Sequence, residues 1–305
     1  MKTKFSELTS IEAINILKEL GDGEAVHELT ALIDEKPELR NTRVSALPEE
    51  VELANAKWRG TEHTYGYIEM PADNPGDFLD IRFASTIPPD DSLRNQLINI
   101  KLGSLYTMNY PGGGRHNVLM HFRCKQPKPD AAEPVLIEFE QKFKSKEKEG
   151  AGNIGDFIFI GVKVPANGLQ IEVQTINVSN DGDEEALRVL ESDTIKNGLD
   201  LVNATFASIA PLTQMAKGVL GLVLSRNRNK VVQQFTMGFD FDAAAIDIPK
   251  LRLGTYVVVQ AKKNEMPWTD WVYQRSKGLV VNRNDHAIRL PYNHLTFNVL
   301  RYSNG

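Results

Sequence analysis

A single cysteine, Cys124, is spread over 305 residues, so no intramolecular disulfide can form and neither a multi-cysteine zinc site nor a dithiol redox centre is available. One thiol fits a reducing compartment. The chain also lacks a G-x-S-x-G nucleophile elbow and a G-x-x-x-x-G-K-[ST] phosphate loop, which removes the commonest serine-hydrolase and nucleotide signatures. Its first residues, Met1-Lys2-Thr3-Lys4-Phe5-Ser6-Glu7, contain no apolar run of the kind a signal peptide needs. A cytoplasmic protein is therefore expected, with the sequons at Asn177 and Asn203 unmodified. There is no excess of positive charge: 35 Lys and Arg against 40 Asp and Glu give a net charge of -5. No nucleic-acid partner is expected from such a balance.

What the chain does have is period-two patterning. In Leu169-Gln170-Ile171-Glu172-Val173-Gln174 apolar and polar side chains alternate, as an antiparallel strand with one wet face requires. At Thr175/Ile176 the apolar parity shifts, and one extra residue there, a β-bulge, is the expectation. Similar runs cover 65–70, 78–84, 97–108, 116–126, 135–143 and 157–164, then 231–241, 255–261, 272–273, 279–282 and 294–301. Turn clusters such as Asp73-Asn74-Pro75-Gly76 and Pro111-Gly112-Gly113-Gly114 separate them. In the run 116–126, Val118, Met120, Phe122 and Cys124 share one face, which assigns Cys124 to the core. The opposite face carries Asn117, His121, Arg123 and Lys125, with Leu119 out of place. The mixed-charge run 142–149 reads as a solvated loop. This rhythm resembles that of C2-like and jelly-roll sandwiches, architectures that host binding, membrane attachment, capsid building and catalysis alike.

Two segments break the β pattern. Residues 1–43 read as a helical hairpin: Thr9 and Glu12 form a T-x-x-E capping box, Ile11, Ile14 and Leu17 follow at helical spacing, and Gly21-Asp22-Gly23 ends the run. The second helix carries Val26, Leu29, Leu32 and Ile33 on a stripe and must stop before Pro37. Its stripes dock either on the body of the chain or, as an assembly arm, on a neighbour. The second break, 199–224, is nearly uncharged. Pro211 suits a first helical turn there, with Leu212, Met215, Val219 and Leu222 as a stripe and Arg226, Arg228 and Lys230 following. Burial between sheets is the expected fate of 206–224, and contact with an anionic membrane is the alternative.

Few residues suggest chemistry. His27-Glu28 opens an H-E-x-x-H zinc motif, but Ala31 stands where the second histidine belongs. Cys124 and His121, three apart on a strand, lie on opposite faces and cannot form a dyad. His63, His116, His286 and His294 follow no spacing rule. Carboxylates for Ca²⁺ are offered by Asp181 and Asp183 after the 169–178 strand and by Asp240 and Asp242 near the end of another. The first loop departs from an EF-hand, and Asp183, Glu184 and Glu185 better suit the first turn of a helix through Leu190. No cofactor is expected, with Ca²⁺ as the one candidate. Trp268, Trp271 and Tyr273 could supply an interaction edge, and Ile14, Leu17 and Leu29 an assembly surface.

The sequence thus indicates a mostly β, antiparallel, sandwich or jelly-roll-like protein: a helical hairpin over 1–43, then one large or two smaller sandwiches over 44–305, a division falling near 180–200. Its expected role is a non-enzymatic interaction or assembly subunit with a protein partner or itself. A membrane-associating effector using 206–230 and a hydrolase with dispersed residues are the alternatives.

Overall fold

The computed structural model describes residues 7–20, 23–47, 62–69, 76–111, 114–126, 134–149, 153–178, 187, 198–202, 206–225 and 229–303. Among these the chain is mostly β, and its strands, numbered in chain order, build three sheets. The largest runs β3 (Arg82–Phe83), β1 (Thr64–Glu69), β11 (Gly254–Val259), β14 (His294–Arg301), β4 (Leu97–Tyr106), β7 (Asn153–Lys163) and β9 (Leu199–Asp200). The second runs β10 (Lys230–Phe239), β8 (Leu169–Val178), β5 (Arg115–Gln126) and β6 (Val135–Lys146), and the third β13 (Leu279–Asn282), β12 (Trp271–Gln274) and β2 (Phe78–Asp80). Pairing is antiparallel except between β7 and β9. Both larger sheets draw strands from either side of residues 180–200.

Ring contacts join the two larger sheets: Phe122 of β5 meets Phe297 of β14 at 6.4 Å, Phe139 of β6 meets Phe159 of β7 at 6.3 Å, and Phe239 of β10 meets Tyr256 of β11 at 4.8 Å. One contiguous core cluster contains these side chains, and Cys124 lies in it with its thiol pushed up to about 12 by burial. A smaller cluster around Ile68, Val257 and Trp268 takes in Trp271 and Tyr273 of β12.

The expected bulge is on the other strand. β8 keeps unbroken register with β5, Thr175 opposite Met120 and Ile176 opposite Leu119, while the shift falls in β10 between Val231 and Gln233. The parity change in β8 has a different cause. The face turned toward the seven-stranded sheet becomes polar at this end: Thr175 accepts from the Tyr110 hydroxyl at 2.8 Å, and the Asn177 amide donates to the Pro111 carbonyl at 2.8 Å. On the opposite face Leu119, Ile176 and Val178 are all buried. That amide bond also occupies the sequon asparagine in the folded chain. Ile171→Ala should cost at least about 2 kcal/mol, since Ile171 is buried with Met237 and Cys124 as register partners. The exposed Gln170 should tolerate alanine. Equal urea midpoints for the two variants would mean the faces of β8 are misassigned.

The opposite face is covered in part by a helix. α1 (Ser10–Leu20) and α2 (Gly23–Glu35) precede the strands, and α3 (Phe206–Ser225) packs on β6. Over 213–225, where its side chains are described, the buried residues are Thr213, Ala216, Val219 and Val223, while Leu222 is exposed. The stripe is therefore turned by about one residue from the expected one, because it must seat against a strand face carrying Glu138 rather than a wholly apolar surface. The helix already includes Phe206, so Pro211 stands inside it. β6 continues to Lys146, making Lys142–Lys146 strand rather than loop.

At the N-terminus the capping box forms: the Thr9 N–H donates to Glu12 at 2.8 Å and the Glu12 N–H to the Thr9 hydroxyl at 3.4 Å. The segment before α1 pairs with the segment after α2, Ser10 N–H to Thr42 O and Val44 N–H to Leu8 O, both 2.9 Å. Ile14, Leu17 and Leu29 are buried in the main core cluster, together with Val44 and Leu47.

Candidate functional site

Among the described residues, a gathering of titratable groups lies where β5, β6 and β8 meet beneath α3. Alternation puts His121 and Arg123 on the α3 side of β5, and register sets His121 opposite Glu140 and Arg123 opposite both Glu138 and Glu172. His121 is 2 % exposed. Its Nδ1 lies 3.0 Å from Glu140 Oε1 and its Nε2 3.8 Å from Glu138 Oε2. Two cations face the other Glu138 oxygen, Arg123 Nε at 3.5 Å and Lys217 Nζ of α3 at 3.6 Å. Arg123 also donates to Glu172 at 2.9 Å. From the same helix Thr213 accepts from the Glu138 N–H at 3.5 Å.

Burial dictates how the protons sit. Desolvation, with Glu138 as a second negative neighbour, pushes the Glu140 carboxyl up to about 9. Desolvation, reinforced by Arg123 and Lys217, brings His121 down to about 4. Near neutrality the pair is therefore an uncharged acid and an uncharged imidazole joined by one hydrogen bond at Nδ1. Glu140 Oε2 is buried with no hydrogen-bond partner. An acid and a base in contact are the ingredients of proton-transfer catalysis, but the reacting atom must come within about 3 Å. The cavity beside them measures about 30 Å³, room for a water or two, between His121, Arg123, Glu172 and Gln234. This is a closed cluster.

Compared with protein-family models, curated proteins and solved structures, the chain has no match. The residues themselves must carry the reading.

The sequence-derived candidates fall elsewhere. Asp181 and Asp183 lie outside the described residues, as does most of the helix expected through Leu190, of which Leu187 is helical and buried. Asp240 and Asp242 sit on one loop with their carboxylates already engaged: Asp240 accepts from the Asp242 N–H at 3.0 Å and Asp242 from the Ala244 N–H at 2.9 Å. A cation is already present there. The ammonium of Lys250, 1 % exposed, donates to the carbonyls of Asp242 at 2.5 Å and Ala245 at 2.6 Å. Among the described residues no group of three or more His, Cys, Asp or Glu is placed to hold a metal. Trp268 is buried against Gly66 and Phe83, and Trp271 and Tyr273 are half-buried against the same cluster. No described helix is long and apolar enough to cross a membrane.

Sequence reasoning missed the His121 cluster because its members are distant in the chain. One signal was there: His121 and Arg123 share parity on one strand, Glu138 and Glu140 on the next, so an antiparallel pairing in register brings opposite charges together. It also missed the loop that Lys250 braces. This loop presents the most exposed large apolar side chain among the described residues, Ile246 at 82 %, with Ile248 at 41 %.

Proposed function

We propose that the chain is a non-enzymatic assembly subunit: a β-sandwich of the seven- and four-stranded sheets, carrying an N-terminal helical hairpin, that binds further copies of itself through the 243–248 loop. The observation that carries this reading is Ile246, exposed at the tip of a loop whose two ends are fixed. Lys250 ties its carbonyls from inside, Asp240 and Asp242 close its turns, and the Asp240 and Leu251 N–H groups bond to Pro249 O and Asp240 O at 2.9 and 3.0 Å. A rigid frame lowers the ordering cost of binding.

Three of the four edges of the two larger sheets, all but that of β6, favour side-chain contact over strand addition. The seven-stranded sheet ends in the two-residue strands β3 and β9, too short to template another chain. On β10 the Val232 and Thr236 carbonyls accept from Gln260 at 2.8 Å and the Tyr65 hydroxyl at 3.0 Å. The rim of the loop carries both signs, with Asp247 paired to Lys263 and Asp242 and Lys262 exposed nearby in sequence. A two-fold contact places one patch against itself, and mixed charge suits that better than it suits an anionic lipid surface. Catalysis is disfavoured by the enclosure of His121 and Glu140. The test is the double substitution Ile246→Asp/Ile248→Asp: its mass by light scattering should fall to the 34.1 kDa of one chain, with an unchanged thermal midpoint. Equal masses for the two proteins would refute the proposal.

A further inference from the structure

We propose that the proton held between His121 and Glu140 is a latch for α3: while it stays, the helix lies closed on the four-stranded sheet, and its loss lifts the helix without unfolding the strands. The geometry makes this a matter of charge and access. Glu140 sits beside Glu138 on the same face of β6, two residues apart, and it has one oxygen on His121 and one with no partner. The charged groups facing the pair are Arg123 from β5, Glu138 and, two residues beyond Glu140 on the same face, Lys142 from β6, Glu172 from β8 and Lys217 from α3. Gln234 and Thr236 of β10 line the adjoining cavity and do not titrate. Arg123 is already divided between Glu138 and Glu172, and Lys217 is engaged with Glu138. A second negative carboxylate at Glu140 would stand beside Glu138 and find Arg123 and Lys217 already engaged. Its remaining remedy is water, and the described element that closes this face by hydrogen bond and ion pair to Glu138 is α3, through Thr213 and Lys217.

The direction with pH follows from proton counts. Closed, Glu140 keeps its proton up to about 9; opened to water it would release it near the ordinary 4.5, so rising pH favours opening between those values. His121 acts oppositely between about 4 and its ordinary 6.5, where the open state binds a proton that the closed state lacks. The two effects cancel between about 4.5 and 6.5. From about 6.5 to 9 Glu140 acts alone, and one linked proton makes the opening constant rise about tenfold per pH unit.

Hydrogen exchange of the full-length chain followed from pH 6 to 9, corrected for the intrinsic rate at each pH, reads this directly. The protection of α3 amides should fall about tenfold per unit above 6.5, while β8 amides keep theirs. In Glu140→Gln, whose amide can hydrogen-bond Nδ1 as donor or acceptor without a titrating proton, α3 protection should not change with pH. Protection of α3 that is flat with pH in the unmodified chain overturns the latch. So does an equal fall in Glu140→Gln, or a parallel fall in α3 and β8, which would mean global rather than local opening. Should Glu140→Gln not fold, the comparison of α3 with β8 in the unmodified chain still decides.

Discussion

Trp268→Ala is expected to destabilise the chain by about 3–5 kcal/mol, the range for removing a large aromatic from a packed interior. The indole is 1 % exposed and packs edge-on to Phe83, ring centroids 6.5 Å apart. Its ring also lies against Gly66, where an added Cβ would come within 2.7 Å of the indole and 2.6 Å of Ile81. Strand β1 therefore approaches the ring as closely as a glycine permits, and alanine at 268 would leave a void that β1 and β3 cannot fill without breaking their pairing. Trp268→Phe should cost less, because the buried indole N–H has no hydrogen-bond partner to lose. Chemical denaturation of the two variants checks this ordering. An unchanged stability in Trp268→Ala together with weakened association would return Trp268 to the interaction surface that sequence composition suggests for it.

Leu17→Ala should cost about 2–5 kcal/mol and leave the mass of the assembly unchanged. Leu17 is fully buried with Ala13, Ile14 and Leu29 in the main core cluster. The backbone bonds that join Leu8 and Ser10 to Val44 and Thr42 close the helical segment on its own chain. An assembly arm would behave in the reverse way, losing mass and keeping stability. Denaturation and light scattering on the same sample distinguish the two.

How much of this was legible in the sequence depends on whether a feature was local. The strand over 116–126 and the inward placement of Cys124 follow from alternation alone, and the Thr9/Glu12 capping box from a three-residue spacing. Leu119 looked like an error in its pattern and Ile176 like a bulge. Both belong to a face that is buried instead of wet, a fact set by tertiary packing that periodicity cannot report. The extra residue sits across the sheet in β10, where Val231-Val232-Gln233 gives no alternation to interrupt. The His121 cluster depends on the register between β5 and β6 and on Lys217 arriving from a helix some eighty residues further on. Lys250 was hidden for a related reason: composition assigns lysine to the surface, and its burial becomes intelligible only once the carbonyls of Asp242 and Ala245 turn toward it.

Assembly of this chain through the loop bearing Ile246 and Ile248 is read by a concentration series of light scattering on the unmodified, purified chain. The expected mass is an integral multiple of 34.1 kDa that declines toward one chain on dilution, with the Ile246→Asp/Ile248→Asp protein at one chain throughout. A mass of one chain for the unmodified protein at every concentration would contradict it.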